Sequence, residues 1–275
     1  MLTLWPRMIK RLFYWIYTGY AGFVFAIPML IGVGLSFILP IVLPSERRWR
    51  RAFLAYCRFW ANTWAKLVGV KIVVQNEEVC VKPNQQCVFV GNHASYGDII
   101  ALAAAVKHSF SGVAKMESKN YFLFGHVFKR SSVLVDRKDP ESRKKSYIEI
   151  KKLAFDYGIS VFIFPEGTFS NPDKEVLMPF NSGAFRIAAE LNLPIQPIII
   201  THVRDMMPNF KLPLRPCTIY FRYLPPTYTQ GCTVEDADKL RAQVWQQIQD
   251  ALLIHEPLYK PFVNNPPANP HAADL

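Results

Sequence analysis

The sequence predicts an α/β fold, a mostly parallel sheet sandwiched by helices, with an N-terminal membrane-embedded helical segment. Three observations carry this. From residue 71 onward, short apolar runs alternate with helical patterns, the order that builds parallel strands joined by crossover helices. Several runs, such as Cys87-Val88-Phe89-Val90 and Val161-Phe162-Ile163-Phe164, are apolar at consecutive positions, as strands covered on both faces are. Residues 12–45 carry no formal charge, which is long enough to engage a bilayer.

The N-terminal run comes first. Arg7, Lys10 and Arg11 flank it on one side, and Arg47, Arg48, Arg50 and Arg51 on the other. A single span should carry its basic excess mainly on the cytoplasmic side. Pro28, Gly32 and Gly34 supply break points, so a re-entrant pair of helices with both ends cytoplasmic is expected ahead of one long tilted span. The run exceeds the ~7–15 residues of a signal-peptide core, and no small-x-small cleavage site follows it. Tyr14, Trp15, Tyr17 and Tyr20 lie near its start, as an interfacial belt would. Between residues 48 and 66, Trp49, Phe53, Tyr56, Trp60 and Trp64 recur every three or four positions among basic residues. That is an amphipathic helix, suited either to a headgroup layer or to the protein's own core.

Strands are expected at 71–74, 87–90, 112–114, 133–135, 160–164, 195–200 and 218–222. Helices are expected at 98–106, 119–128, 141–157, 182–191 and 234–255. In the last, Ala237, Leu240, Val244, Ile248 and Leu252 share one stripe that should pack on the sheet. The chain thus divides into a membrane-associated helical region over 1–68, a catalytic unit over 69–256 and a Pro-rich tail over 257–275, expected to fray.

Chemistry concentrates where apolar strands end. His93 and Asp98, in Asn92-His93-Ala94-Ser95-Tyr96-Gly97-Asp98, suit a general base and its orienting carboxylate. A neutral imidazole takes a proton from a hydroxyl near neutral pH, and a carboxylate on its other nitrogen fixes the tautomer. Ser95 and Asp98 also read as a capping-box-like helix start, which makes Asp98 a backbone cap and His93 a bystander. A second polar turn, Pro165-Glu166-Gly167-Thr168-Phe169-Ser170, follows another strand. Its Gly167 would admit close backbone approach, Thr168 offers a hydroxyl and Glu166 an acceptor; the alternative is an ordinary strand-to-loop turn. Arg137 follows the strand at 133–135 and can grip a phosphate with its planar fork. Ligand sites in open α/β sheets lie beyond the carboxyl ends of the strands, so these turns are expected to face one crevice.

With His93 to Asp98 as H-x4-D, Val135-Asp136-Arg137, Phe164 to Thr168 as F-P-E-G-T and Leu193 to Ile198 as L-P-I-x-P-I, the sequence resembles the glycerolipid acyltransferases, the bacterial-type 1-acylglycerol-3-phosphate acyltransferases most of all. The resemblance spans residues 85–223 and implies that family's fold. It implies that His93 is the base, that Asp98 is its partner, and that Arg137, Glu166, Gly167 and Thr168 line the acceptor site. Two positions depart from the family pattern. Phe169 stands where Arg usually follows E-G-T, and Asn181 stands where Lys usually sits in F-K-x-G-A-F. Both remove a cation near an acceptor phosphate; Arg186 or the basic stretch 129–152 would have to compensate. The expected reaction is direct transfer in a ternary complex. No G-x-S-x-G elbow marks a covalent nucleophile, and backbone amides near Gly97 and Asp98 are the candidate oxyanion donors.

Composition bounds the rest. At 275 residues and 51% hydrophobic, the chain can bury one substantial core and an accessory segment. The net charge of +11 comes with no nucleic-acid motif; anionic lipid, the phosphates of coenzyme A or an acidic acyl carrier protein would be attracted instead. Much of the basic stretch reads as a solvated helix face. The five cysteines have no paired short spacing, which fits a reducing cytoplasm. His108, His126, His202, His255 and His271 stand apart from one another. No metal or cofactor is expected; acyl-CoA or acyl-acyl carrier protein is the co-substrate. The expected activity is a membrane-bound O-acyltransferase, at a bacterial inner membrane with the catalytic unit on the cytoplasmic face, esterifying lysophosphatidic acid. The alternatives are the same chemistry on an amino-acid lipid or a lysophospholipid, a catalytically silent lipid-binding scaffold, or a thioesterase.

Overall fold

The computed structural model describes residues 5–208 and 211–274, with side chains from Met8 onward; the side chain of the flanking Arg7 lies outside them. Helix α1 (Trp5–Val42) is followed by α2 (Glu46–Val68), β1 (Lys71–Gln75), β2 (Val88–Gly91), α3 (Gly97–Ala105), β3 (Phe110–Lys115) and α4 (Phe124–Ser131). Then come β4 (Ser132–Val135), α5 (Pro140–Phe155), β5 (Ser160–Ile163), α6 (Gly183–Glu190), β6 (Ile195–Thr201), β7 (Thr218–Tyr223) and α7 (Ala237–His255). The seven strands form one sheet in the order β1-β7-β6-β2-β5-β3-β4. Every pairing is parallel except β6 with β7. All seven expected strands form. β2, β5 and β6 are buried at every position, which explains why their sequences are mostly apolar.

Two cores cover the two faces. On one, α5, α6 and α7 bury Ile150, Leu153, Phe185, Leu240, Trp245 and Ile248 against β2, β5 and β6. On the other, α2 and α3 bury Phe53, Trp60, Trp64, Ala101 and Leu102. The amphipathic helix α2 is therefore a core helix rather than a headgroup helix. Its first turn is tied to α5 through Glu46, which accepts from Arg50, Lys152 and Tyr157. Burial opposes ionisation of Glu46, but those three bonds outweigh it and hold its pKa at about 2.

The N-terminus differs from the expected re-entrant pair. α1 runs unbroken for 38 residues through Pro28, and the chain reverses only at residues 43–45 to make an antiparallel hairpin with α2. The residues that read as break points make contacts: the Tyr56 hydroxyl donates to the Pro28 carbonyl, and the Tyr56 ring packs at Gly32. Two tyrosines of the expected belt instead cap α2, with the Tyr17 hydroxyl donating to Val68 O and the Tyr20 hydroxyl to Leu67 O. Residues 8–42 remain long and apolar enough to cross a membrane, at a mean hydropathy of 2.3 with 11% buried. A soluble core helix would be mostly buried.

Two further expectations need correction. The helix expected at 119–128 is split into a 3-10 turn (Met116–Asn120) and α4, because Leu123 at φ +58° interrupts the helical path. The tail does not fray. The Phe180 amide donates to His271 Nε2, Gln249 to Pro267 O and Asn269 to Ala242 O, and Arg241 pairs with Asp274.

Candidate active site

The polar turns converge on the carboxyl edge of the sheet. Asn92 places the first of them: its side chain donates to Ile200 O at 2.9 Å and accepts from Ile200 N at 2.8 Å, which locks the end of β2 to β6. The next residue, His93, meets Asp98 with Nδ1 2.9 Å from Oδ2. The same oxygen accepts from the Ala94 amide at 2.7 Å and the Ser95 amide at 2.8 Å. Asp98 therefore holds the backbone leading into α3 and the histidine ring at once, so His93 is not the bystander of the capping reading, and the N-cap position, Tyr96, contributes no side-chain bond to the helix N-terminus. The Asp98 carboxylate is fully buried; three donors converge on Oδ2, which offsets the cost of burying the charge, while Oδ1 is buried without a hydrogen-bond partner.

β5 lies beside β2 and delivers Glu166. One carboxylate oxygen accepts from the His93 amide at 2.6 Å and the other from the Met178 amide at 3.0 Å. Burial pushes its pKa up to about 8, against the pull of those two amides. Glu166 thus braces the backbone of the base rather than presenting an open acceptor. Gly167 follows at φ +75°, where a Cβ would collide with the Arg137 guanidinium. The turn after β4 and the turn after β5 therefore touch, which brings Arg137 to the site. Thr168 is exposed at the same turn.

Phe169 and Asn181 have defined places. The His93 ring stacks on Phe164 at 3.7 Å between centroids and 11° between planes, and Phe169 covers it at 4.2 Å. Asn181 donates from Nδ2 to Pro165 O at 2.8 Å while its amide bonds the same carbonyl, pinning the Glu166 turn from behind. The amides expected to bind an oxyanion are engaged elsewhere: Asp98 N donates to Ser95 O and Gly97 N to Ser95 Oγ. Ser95 is buried at the helix start. Among the described residues, no group of three His, Cys, Asp or Glu side chains is placed to hold a metal ion.

An acyltransferase family model matches residues 71–201, spanning all of these turns. A curated 1-acyl-sn-glycerol-3-phosphate acyltransferase from Limnanthes alba is 29% identical, over 78% of this chain and 75% of its own length. Residues 71–201 form an acyltransferase domain, and the chain is similar to the glycerolipid acyltransferases. The Homo sapiens 1-acyl-sn-glycerol-3-phosphate acyltransferase alpha is 26% identical over 65% of this chain and 62% of its own. Among solved structures, the 1-acyl-sn-glycerophosphate (LPA) acyltransferase PlsC of Thermotoga maritima superposes with a TM-score of 0.70 at 19% identity, covering 90% of this chain and 96% of that one. At that identity the likeness establishes the fold.

The same edge of this acyltransferase holds a residue that the sequence did not single out. Arg204, in the 3-10 turn after β6 (Val203–Asp205), donates to Ser170 O at 2.6 Å and Ser170 Oγ at 3.0 Å. The Ser170 amide in turn donates to His93 O at 3.0 Å. A guanidinium thus stands behind the Phe169 turn from another strand, whereas Arg186 lies exposed on α6. Arg204 gave no signal in the sequence because its partner is 34 positions away.

Proposed function

We infer that this acyltransferase moves a fatty acyl group from a thioester of coenzyme A or acyl carrier protein to the free hydroxyl of a lysolipid at a membrane. The acceptor is 1-acylglycerol-3-phosphate and the product phosphatidic acid. The observation that carries this is the His93–Asp98 pair at 2.9 Å, at the edge where Arg137 meets Gly167. With Nδ1 held by the carboxylate, Nε2 is the atom that takes the acceptor's proton. The alkoxide oxygen bonds to the thioester carbonyl carbon, the C–S bond breaks, and the thiolate recovers the proton from the imidazolium. Buried Asp98 stabilises that cation while it lasts. Arg137 supplies the planar fork that a phosphomonoester needs, and Thr168 lies beside it on the exposed side of the turn. The reaction belongs on the cytoplasmic face of a bacterial inner membrane; the free state of all five cysteines supports a reducing side.

Phe169 and Asn181 favour a second reading, the same transfer to a lyso-acceptor without a phosphomonoester, such as an amino-acid lipid or a lysophospholipid. One experiment separates the readings. Purified protein is given labelled acyl-CoA with a panel of lysolipids, alongside His93→Ala and Phe169→Arg. Lysophosphatidic acid should be the best acceptor, and His93→Ala should lose about 10²-fold or more. Equal low signal in parent and His93→Ala would replace the enzyme with a lipid-binding scaffold, and thiol release independent of acceptor would replace it with a thioesterase. A lysolipid without a phosphomonoester that outcompetes lysophosphatidic acid would establish the second reading.

A further inference from the structure

A residue other than glycine is held in a strained conformation at the site-bearing end of the sheet. Leu123 has φ +58° and ψ −49°, and the Phe124 amide donates to Phe122 O at 2.6 Å. These are the marks of a γ-turn of the rare, strained hand. A second bond, Gly125 N to Tyr121 O at 2.7 Å, closes the turn. A Cβ on Gly125 would collide with the Lys119 carbonyl, so the loop is folded as tightly as glycine permits. Strain of this kind persists where the surrounding structure enforces it, and it gathers at functional positions.

The turn sorts its aromatic residues. Phe124 faces inward, stacked on Phe25 of α1 at 5.5 Å and near Trp60 at 6.2 Å. Phe122 faces outward and is 88% exposed, with Tyr121 at 59%. A lone exposed Phe is ordinary, but here a strained backbone holds it in water. Phe23, Ile27, Leu30 and Ile31 of α1 are exposed too, and the Phe25–Phe124 stack ties the turn to that stretch of helix. Lys115 and Lys119 before the turn and Lys129 on α4 after it are exposed, as is Glu117, so the stretch carries a net excess of cations. Apolar tips in a stretch of net positive charge match the interfacial layer of an anionic bilayer.

We propose that the Tyr121–Phe122 turn is a second membrane contact, inserting beside α1 into an anionic lipid surface and seating the catalytic edge where the acceptor lies. It rests on the membrane-bound reading given above and deepens it. The turn follows β3, whose neighbour β5 carries Glu166, so the contact and the site share one end of the sheet.

The test compares the full chain with Tyr121→Ser/Phe122→Ser, using vesicles of phosphatidylglycerol and phosphatidylethanolamine. Two aromatic tips leaving the interface should weaken vesicle binding about tenfold or more. Transfer to a lysolipid in those vesicles should fall by the same factor, while transfer to a short-chain lysolipid dissolved as monomer stays unchanged. Tyr228→Ser, an exposed aromatic at the opposite end of the sheet, should alter neither. Phe122→Trp should keep vesicle binding and gain fluorescence quenched by brominated acyl chains, which guards against a double variant that misfolds. Unchanged vesicle binding, equal loss on the dissolved acceptor, or an unquenched Trp would each overturn the proposal. Failure of the acyltransferase reading would show differently, as a parent that transfers to neither acceptor.

Discussion

Asp98 Oδ2 receives three donors, the His93 ring and the amides of Ala94 and Ser95. The backbone leading into α3 and the orientation of the base therefore depend on one atom, and substitutions should separate the two duties. Asp98→Asn keeps an acceptor but removes the charge that steadies the imidazolium, so acyl transfer should fall about 10²- to 10⁴-fold with thermal stability largely retained. Asp98→Ala should also cost about 1–3 kcal/mol for each buried amide left without a partner, read by thermal unfolding in detergent. Glu166 should show itself through pH. Its folded pKa, about 8, lies above the ordinary 4.5, so the fold favours the neutral acid. That contribution is complete below pH 4.5 and is lost as pH rises through 8. Glu166→Gln stays neutral, but its NH₂ must face one of two amides that both need an acceptor. The parent should therefore be clearly more stable than Glu166→Gln at pH 5, with the gap narrowing by pH 8. His93, Asp98, Arg137 and Glu166 were legible in the sequence because scarce residue types recur in a fixed order after apolar runs. Phe169 capping the imidazole and Arg204 bracing Ser170 were not, because each acts across the sheet on a distant residue.

At the scale of elements, apolar runs located the strands, since burial on both faces of β2, β5 and β6 admits few polar side chains, Ser160, Gln196 and Thr201 among them. Patterning misplaced α1, α4 and the tail for three separate reasons. The proline and glycines of α1 looked like breaks in isolation, but Tyr56 of α2 fills the space they leave and bonds the Pro28 carbonyl. The helix expected at 119–128 had suitable periodicity, and only backbone geometry reveals the turn at Leu123. The tail lacks any period: Tyr259 packs into the core, and beyond it Asn269 donates while the Pro267 carbonyl, His271 Nε2 and Asp274 accept. The α1–α2 hairpin offers a measurable check. Tyr56→Phe removes one hydroxyl and leaves the ring at Gly32, so it should lower stability by about 0.5–1.5 kcal/mol without altering acyl transfer to a monomeric acceptor.

Across the whole molecule, the C-terminal tail and the site are coupled through a short relay. His271 accepts from the Phe180 amide, Asn181 is the next residue, and Asn181 holds the Pro165 carbonyl beside Glu166. Burial, then the nearby Arg241, keep the His271 pKa below its ordinary 6.5, so the ring stays neutral and its Nε2 can accept. The stability from this contact is fully present above pH 6.5 and is lost as pH falls through the depressed value. His271→Ala should lower the unfolding midpoint at pH 7.5 and slow acyl transfer, and its difference from the parent should shrink in acid. The dimensions of α1 carry a further consequence. Its 38 residues at ~1.5 Å each reach about 57 Å, nearly twice a hydrocarbon core of ~30 Å. Beside it runs α2, with Arg47, Arg48, Arg51 and Lys66 exposed, so upright insertion would drag those cations through the oil. On the membrane-bound reading proposed above, a hairpin lying along one leaflet would avoid that cost and would make synthesis one-sided. Each new diacyl lipid would emerge on the side where the protein rests, so growth of the opposite leaflet would depend on a separate flipping activity.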